Sequence, residues 1–338
     1  MTLERPLAVP FVARMPSRAD HARRLVIASA AAVVALMVNS AVPLLGPLLV
    51  ALLLGVAAAN TPVVGRYVVD VSPRLDKFLL RAGVVLLGLR VALDDVLALG
   101  LPGLTVVLTT VIATYAGTQL LGRALGLPRD LTTLVAAGFS ICGAAAVAAV
   151  ESSIGAKTKD VALAIALVTV FGTAMIGLVP GLGHLLGLTD EQTAVWVGAS
   201  IHEVAQVLAA ASLISGGAAV LAVATSVKLA RVLLLAPVQI VSGRLCRGAD
   251  GRSGPLVPLF VVGFLVAVGV RSTGWVPGAA LSAAGSLTTF LLSAAMFGLG
   301  TTVVARRLWP VPLRVLALAC LSTGIAAGVS LALVVALV

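Results

Sequence analysis

The sequence predicts an all-α polytopic membrane protein, and three observations predict it. First, 60% of the 338 residues are hydrophobic and 11% are charged, against about 25% charged in an ordinary soluble domain. Second, mean hydropathy is +1.15, and the apolar residues gather into runs long enough to cross a hydrocarbon core of about 30 Å as helices. Third, Lys and Arg collect in short linkers between those runs, the pattern that holds loops in the cytoplasm. Together these exclude an ordinary soluble enzyme, a disordered chain and a nucleic-acid-binding domain. Strand alternation is absent over any useful length, so a β-barrel is not expected.

The elements follow in order. Residues 1–24 form a polar, basic arm with Arg5, Arg14, Arg18, Arg23 and Arg24, and show no signal-peptide cleavage pattern. Residues 25–338 read as a single transmembrane domain. Apolar runs fall at 25–40, 42–59, 78–93, 102–121, 131–150, 161–182, 192–212, 217–240, 257–271, 285–304 and 313–337. The linkers carry Gly, Pro, Asp or Arg, as turns require. Arg66, Arg74 and Lys77 precede the third run; Arg123 and Arg129 follow the fourth. Arg244, Arg247 and Arg252 follow the eighth, and Arg306, Arg307 and Arg314 the tenth. If all of these are cytoplasmic, the N-terminus is inside and the C-terminus outside, with Asp94–Asp95 and the Trp275 loop external. Trp196, Trp275 and Trp309 read as interface anchors, His21 and His184 as loop residues.

The middle of the chain conflicts with the charge rule. If runs five to seven all span, Lys157 and Lys159 lie outside, and the linker with His184, Asp190 and Glu191 lies inside. Re-entrant hairpins for runs five and seven, entering from opposite faces, remove the conflict and leave nine true spans.

Two internal repeats bear on this. Gly138, Ser140, Ile141, Ala145 and Val147 recur as Gly198, Ser200, Ile201, Ala205 and Val207, sixty residues on. Gly88-Leu89 and Pro102 recur as Gly298-Leu299 and Pro312. The repeats cover about 131–182 with 191–240, and 79–121 with 289–331. Transporters are often built from inverted repeats whose broken helices meet at the midplane. Re-entrant runs five and seven satisfy that inversion; two parallel spans do not.

Several residues stand out as candidates. Gly138–Gly143 places small residues, with Ser140, Ile141, Cys142 and Gly143 at its end, in mid-membrane. The amides at a half-helix N-terminus would bind an anion, whereas close helix packing explains small residues equally simply. His202 and Glu203 lie deep in an apolar run, with Gln206 one turn on. Ionisable groups at that depth usually mark a path, and a histidine beside a carboxylate can couple or gate a proton; a buried hydrogen-bonded pair is the plain alternative. His-Glu-Val-Ala-Gln lacks the second histidine of a zinc protease, so no enzyme is expected. Lys228 and Arg231 sit mid-helix, three apart on one face. They could grip an oxyanion, pair with Glu203, or snorkel. Arg81 reads as an interfacial anchor, Arg90 as deeper, and Glu151 as sitting at the mouth of the first motif. Cys142, Cys246 and Cys320 give neither a disulfide framework nor metal spacing, so no metal and no cofactor is expected.

The segments 138–147 and 198–207, with Leu-Leu-Gly-Leu-Arg at 86–90 and Val-Lys-Leu-Ala-Arg-Val-Leu-Leu-Leu-Ala-Pro at 227–237, resemble the signature segments of the YeiH-type family. These are bacterial inner-membrane proteins named as sulfate exporters, similar to the bile-acid–sodium symporter and cation–proton antiporter folds. The resemblance runs from about residue 40 to the C-terminus. It implies two broken helices crossing at the centre, and export of sulfate or sulfite across the cytoplasmic membrane. In that reading Ser140, Ile141, Cys142, Gly143, Ser200, Lys228 and Arg231 bind substrate, while His202, Glu203 and Gln206 couple or gate. A proton- or sodium-coupled importer of an organic anion, or an anion channel, would use the same features. The partners expected are a small inorganic anion, a coupled H+ or Na+, and the bilayer, with no nucleic acid; a homo-oligomer is left open. The order of elements departs from those symporters, since the Ser200 motif directly follows the first repeat.

Overall fold

The computed structural model describes residues 18–42, 46–61, 73–246, 259–301 and 311–338, and among these every regular element is helical. Arg5, Arg14, Arg66, Arg247, Arg252, Arg306, Arg307 and Trp309 lie outside the described residues. Five stretches are long and apolar enough to cross a membrane: Gly100–Ala124, Thr158–Leu185, Gly217–Cys246, Gly278–Gly298 and Leu313–Leu337. Shorter apolar helices accompany them.

The helices are α1 (Arg18–Ala41), α2 (Pro47–Asn60), α3 (Pro73–Leu87), the short α4 (Leu93–Leu97), α5 (Gly100–Ala124), α6 (Arg129–Ser140), α7 (Ala144–Ile154), α8 (Thr158–Leu185), α9 (Asp190–Ser200), α10 (Val204–Ala211), α11 (Gly217–Leu233), α12 (Leu235–Cys246), α13 (Leu259–Ser272), α14 (Gly278–Thr301) and α15 (Leu313–Leu337). The first helix starts inside the expected arm, at Arg18, and the tenth apolar run starts earlier than its hydropathy suggests, at Gly278. His184 lies in the last turn of α8 rather than in a loop, and is exposed.

Runs five and seven are broken, and each doubles back. At 1.5 Å per residue, α6 and α9 each reach about 17 Å, roughly half of a bilayer core of about 30 Å. A straight run would hold Gly138 and Val147 about 13 Å apart. Instead, a Cβ placed on Gly138 would meet a Val147 methyl at 2.7 Å. The α11–α12 rod gives the level of each point. Lys228 and Arg231 meet the tip at Ile141 and Ser140, Gln239 meets Ala149 and Ser153 of α7, and Cys246 meets Thr133 of α6. The α6–α7 hairpin therefore enters and leaves at the Cys246 end. The α9–α10 hairpin opens at the other end: Asp190 lies beside Gly216, Gly198 packs on Ala224 and Val227, and the tip at Ile201 meets Lys228. Between the hairpins, α8 runs 28 residues, about 42 Å, from the mouth of one to the mouth of the other.

The flanking helices cross in antiparallel pairs. Gly83 of α3 packs on Leu292 of α14, while Arg90, just after α3, lies against Gly285 of α14. On α5 and α15, Thr118 bonds Ser322 and Gly117 packs on Ile325, and Gly126, in the turn after α5, approaches Arg314. The segments that share the Gly-Leu repeat thus run in opposite directions, as inverted copies must.

Candidate functional site

The two hairpin tips meet at Lys228 and Arg231, both fully buried. Lys228 Nζ donates to the carbonyls of Ile141 at 2.6 Å and Ile201 at 2.8 Å, one from each tip. Arg231 Nε donates to Ser140 O at 3.0 Å. Its Nη1 reaches the carbonyls of Ala199 at 2.6 Å, Ile201 at 2.9 Å and, more weakly, Gly198 at 3.4 Å. Its Nη2 reaches Phe139 O and Ser140 O, both at 2.9 Å. These carbonyls belong to the last turns of α6 and α9, which an ordinary helix leaves without partners. Each such end carries about −0.5 elementary charge, so both cations sit where two negative ends converge.

This polarity is opposite to the expected one. Ser140, Ile141, Ser200 and Ile201 close the half-helices at their C-terminal ends, so they present acceptors, and the donors come from side chains. The hydroxyls of Ser140 and Ser200 bond back to Ala136 O at 2.7 Å and Trp196 O at 2.6 Å. The arginine fork expected to hold an oxyanion holds carbonyls instead in this conformation. On insertion scales a cation at mid-helix costs about 2.5–3.5 kcal/mol. Hydrogen bonds from charged donors, at about 1.5–3 kcal/mol each, offset that cost and tie both hairpins to α11.

The N-terminal ends of the second half-helices have their own partner. Glu203, 6% exposed, accepts from Ala144 N at the start of α7 at 3.3 Å. It also closes a capping box with Gln206 at the start of its own helix α10, Gln206 Oε1 accepting from Glu203 N at 3.1 Å. Gln206 Nε2 donates to Thr169 O at 3.3 Å on α8. One carboxylate thus bridges the two positive helix ends, as two cations bridge the two negative ones. Gly143, which stands sixty residues before Glu203, has φ +73°, and any Cβ there would collide with Glu203 Cγ. The repeat is asymmetric at this point because only one side chain fits.

His202 is fully buried. Its ring lies 4.5 Å from that of Phe139, and Nε2 is 3.3 Å from Thr323 Oγ1 on α15. Nδ1 lacks a partner of good hydrogen-bond geometry, although the ring lies within reach of the Phe139 carbonyl. Cys142 is a buried free thiol at the first tip. Glu151 lies half-buried on α7 near its outer end, as expected. Trp196 is not an interface anchor: it is buried on α9, and its indole donates to Ala327 O at 2.9 Å. Trp275 is 88% exposed. Arg90 is half-buried after α3, away from the tips.

The sequence reading missed Phe139, Thr169 and Thr323. Thr323 was discoverable as a hydroxyl inside the apolar run 313–337, and Phe139 as the aromatic within the Gly-x-Ser-Ile motif. Among the described residues, no group of three or more His, Cys, Asp or Glu side chains could hold a metal ion.

Comparison with known proteins places these features in a family. Residues 23–319 match the family described as "Conserved hypothetical protein 698". A UPF0324 membrane protein of Corynebacterium glutamicum is 44% identical over 316 residues, covering 91% of this chain and 90% of its own. One from Agrobacterium fabrum is 37% identical over 275 residues, covering 78% and 76%. One from Bordetella bronchiseptica is 41% identical over 232 residues, covering 66% and 71%. No solved structure matches the chain.

Proposed function

This chain belongs to the membrane-protein family described as "Conserved hypothetical protein 698", and from that premise we propose that it is a secondary transporter moving a small inorganic oxyanion, sulfate or sulfite, out of the cell. One observation carries the anion: the crossing point holds two fully buried cations, Lys228 and Arg231, against one buried carboxylate, Glu203. The two carbonyl ends supply about −1 against +2, and Glu203 faces the amide ends instead. A positive remainder in a low-dielectric centre attracts an anion strongly.

The hairpins supply the moving parts. Lys228 and Arg231 contact both tips, so their hydrogen bonds describe a closed centre. Alternating access requires one hairpin to withdraw its carbonyls, which frees N–H groups for an oxyanion. His202 and Glu203, at the same tips, would carry or gate a coupled proton. Sulfate or sulfite as the particular oxyanion, and export as the direction, follow from the resemblance to proteins named as sulfate exporters.

Orientation follows from charge. Arg123, Arg129, Lys157, Lys159, Arg244 and Arg314 lie at the mouth of the first hairpin, and Asp94, Asp95, Asp190 and Glu191 at the opposite end. By the positive-inside rule the first end is cytoplasmic, with the N-terminus on that side and the C-terminus outside.

The test is counterflow in proteoliposomes. Unlabelled sulfate or sulfite trapped inside should accelerate uptake of the same labelled anion, which a channel does not do. Absence of exchange for both anions, in protein shown to be folded, overturns the proposal.

A further inference from the structure

The middle of α8 carries a recess that one side chain of the second hairpin enters. Gly172 is buried there. A Cβ at this position would run into the Gln206 carboxamide, 2.8 Å from its Cδ and 2.9 Å from its Nε2. Residue 172 must therefore be glycine for Gln206 to lie where it does. Glycine in mid-helix is less stable than alanine, so α8 gives up helix stability at the point where the recess forms. The recess lies beside the Thr169 carbonyl, one turn back, which serves its own helix with one lone pair and has a second to offer. Gln206 Nε2 donates to it at 3.3 Å and comes within 3.5 Å of Thr173 Oγ1.

Glu203 depends on what the recess holds. Gln206 is buried, and its other end, Oε1, accepts from Glu203 N at 3.1 Å. That bond fixes the backbone of Glu203 in an extended conformation at the head of α10. From there the carboxylate reaches Ala144 N at 3.3 Å. One line thus runs from the Thr169 carbonyl through Gln206 and Glu203 to the amide end of α7. Around Glu203 the ionisable groups are Lys228 on α11, Cys142 on the first tip and His202 beside it in the chain.

The internal repeat holds no second copy of this tie. Sixty residues earlier, Gly143 and Ala146 stand where the second hairpin has Glu203 and Gln206, and neither can make it. There α8 meets the first hairpin through an apolar contact, since a Cβ on Gly138 or Gly143 would meet a Val168 methyl. Val168 and Gly172 are one turn apart on α8. The same face of that helix therefore touches both hairpins, and at Gly172 it is shaped for the hairpin that carries the carboxylate.

We propose that Gly172 and Gln206 are positioning residues for Glu203: the recess in α8 admits the Gln206 carboxamide, and the carboxamide sets the Glu203 carboxylate across the amide ends of α7 and α10. That role rests on the reading of Glu203 as a group that carries or gates a proton, although the recess itself does not.

Four full-length proteins test it: wild type, Gly172→Ala, Gln206→Ala and the double variant. The first readout is the thermal midpoint in detergent. With Gln206 present, Gly172→Ala should lower the midpoint. In the Gln206→Ala background the same change should leave the midpoint unchanged or raise it, because alanine is the better helix former and the colliding carboxamide is gone. Equal lowering in both backgrounds, as for independent sites, overturns the recess. If Gly172→Ala alone does not fold, recovery of folded protein in the double variant is the same result, and failure of both overturns the recess. The second readout is the pH dependence of sulfate or sulfite counterflow in proteoliposomes. Gly172→Ala and Gln206→Ala should move its midpoint in the same direction, by about half a pH unit or more, as expected when a group loses the contact that places it. The double variant should move it no further than Gln206→Ala does. A loss of rate at every pH with the midpoint in place, or a wild-type rate that does not vary with pH, overturns the positioning role and leaves the transport reading standing. A wild type without counterflow for either anion removes the transport reading and the positioning role with it, while the recess stands or falls on the thermal midpoints.

Discussion

Gly143 shows how one backbone position can decide the centre of this protein. Its φ of +73° is open to glycine but costly for other residues, and a Cβ would displace the Glu203 side chain that bridges the amide ends of α7 and α10. Gly143→Ala should therefore cost about 2 kcal/mol or more, from backbone strain and overpacking together, and lower the thermal midpoint of purified protein. The same change at Gly181, where a Cβ would meet nothing within 4 Å, is the control; an equal loss at both positions would refute the argument. Arg231 poses the converse case. Arg231→Met leaves the carbonyls of Phe139, Ser140 and Ala199 without their side-chain donor, while Ile201 O keeps Lys228, so it should destabilise by about 3–5 kcal/mol and express poorly. Arg231→Lys keeps the charge but loses the fork, and should fold with a lower midpoint. The sequence made Lys228, Arg231, His202 and Glu203 conspicuous, because each breaks an apolar run. It did not reveal what they face. Ser140 at the end of one half-helix and Ser140 at the start of the next have the same sequence signature, and only the coordinates separate a carbonyl site from an amide site.

The elements that matter most are the two half-length hairpins. Each is a pair of helices too short to cross a membrane alone, joined by three non-helical residues, 141–143 and 201–203. Hydropathy could not distinguish such a hairpin from a span, since both are continuous apolar runs of about 20 residues. Charge could: Lys157, Lys159, Asp190 and Glu191 fall on the wrong sides if runs five and seven cross. The repeat of Gly-x-Ser-Ile could as well, since it requires inversion. Single cysteines at positions 157 and 159, in a background lacking Cys246 and Cys320, should react with a membrane-impermeant maleimide in inside-out vesicles and stay unlabelled in intact cells or spheroplasts. Cysteines at 190 and 191 should behave oppositely. Labelling of 157 and 190 from the same face would mean that α6–α7 or α9–α10 does not turn back. The cap at Thr189 offers a stability check on the second hairpin: Thr189→Ala removes the side chain that accepts from Gln192 N at 3.1 Å and should cost about 1 kcal/mol.

For the molecule as a whole, the question is what the crossed hairpins leave room for. Where broken helices cross in a membrane, the carbonyl ends are the usual seat of a coupled cation, and the amide ends of an anion. Here the carbonyl ends already carry cations that belong to the chain. Lys228 Nζ touches one carbonyl from each tip, and Arg231 fills much of the remaining acceptor capacity. A sodium ion at the same carbonyls would meet two positive charges within a few ångströms, at a cost of several kcal/mol even at an effective dielectric constant near 20. The amide ends are bridged by Glu203, a group that can release them when it gains a proton. Oxyanion exchange should therefore proceed unchanged when sodium is replaced by potassium or choline, and should respond to pH. In proteoliposomes, sulfate or sulfite counterflow would be compared with and without sodium, and with the internal and external pH set independently. Glu203→Gln, which keeps the shape and an acceptor but cannot ionise, should flatten the pH response while leaving the protein folded. A requirement for millimolar sodium would show that Lys228 and Arg231 leave the carbonyl ends during transport. In that case the arrangement seen here is a resting state, and the coupling ion takes the place of these side chains.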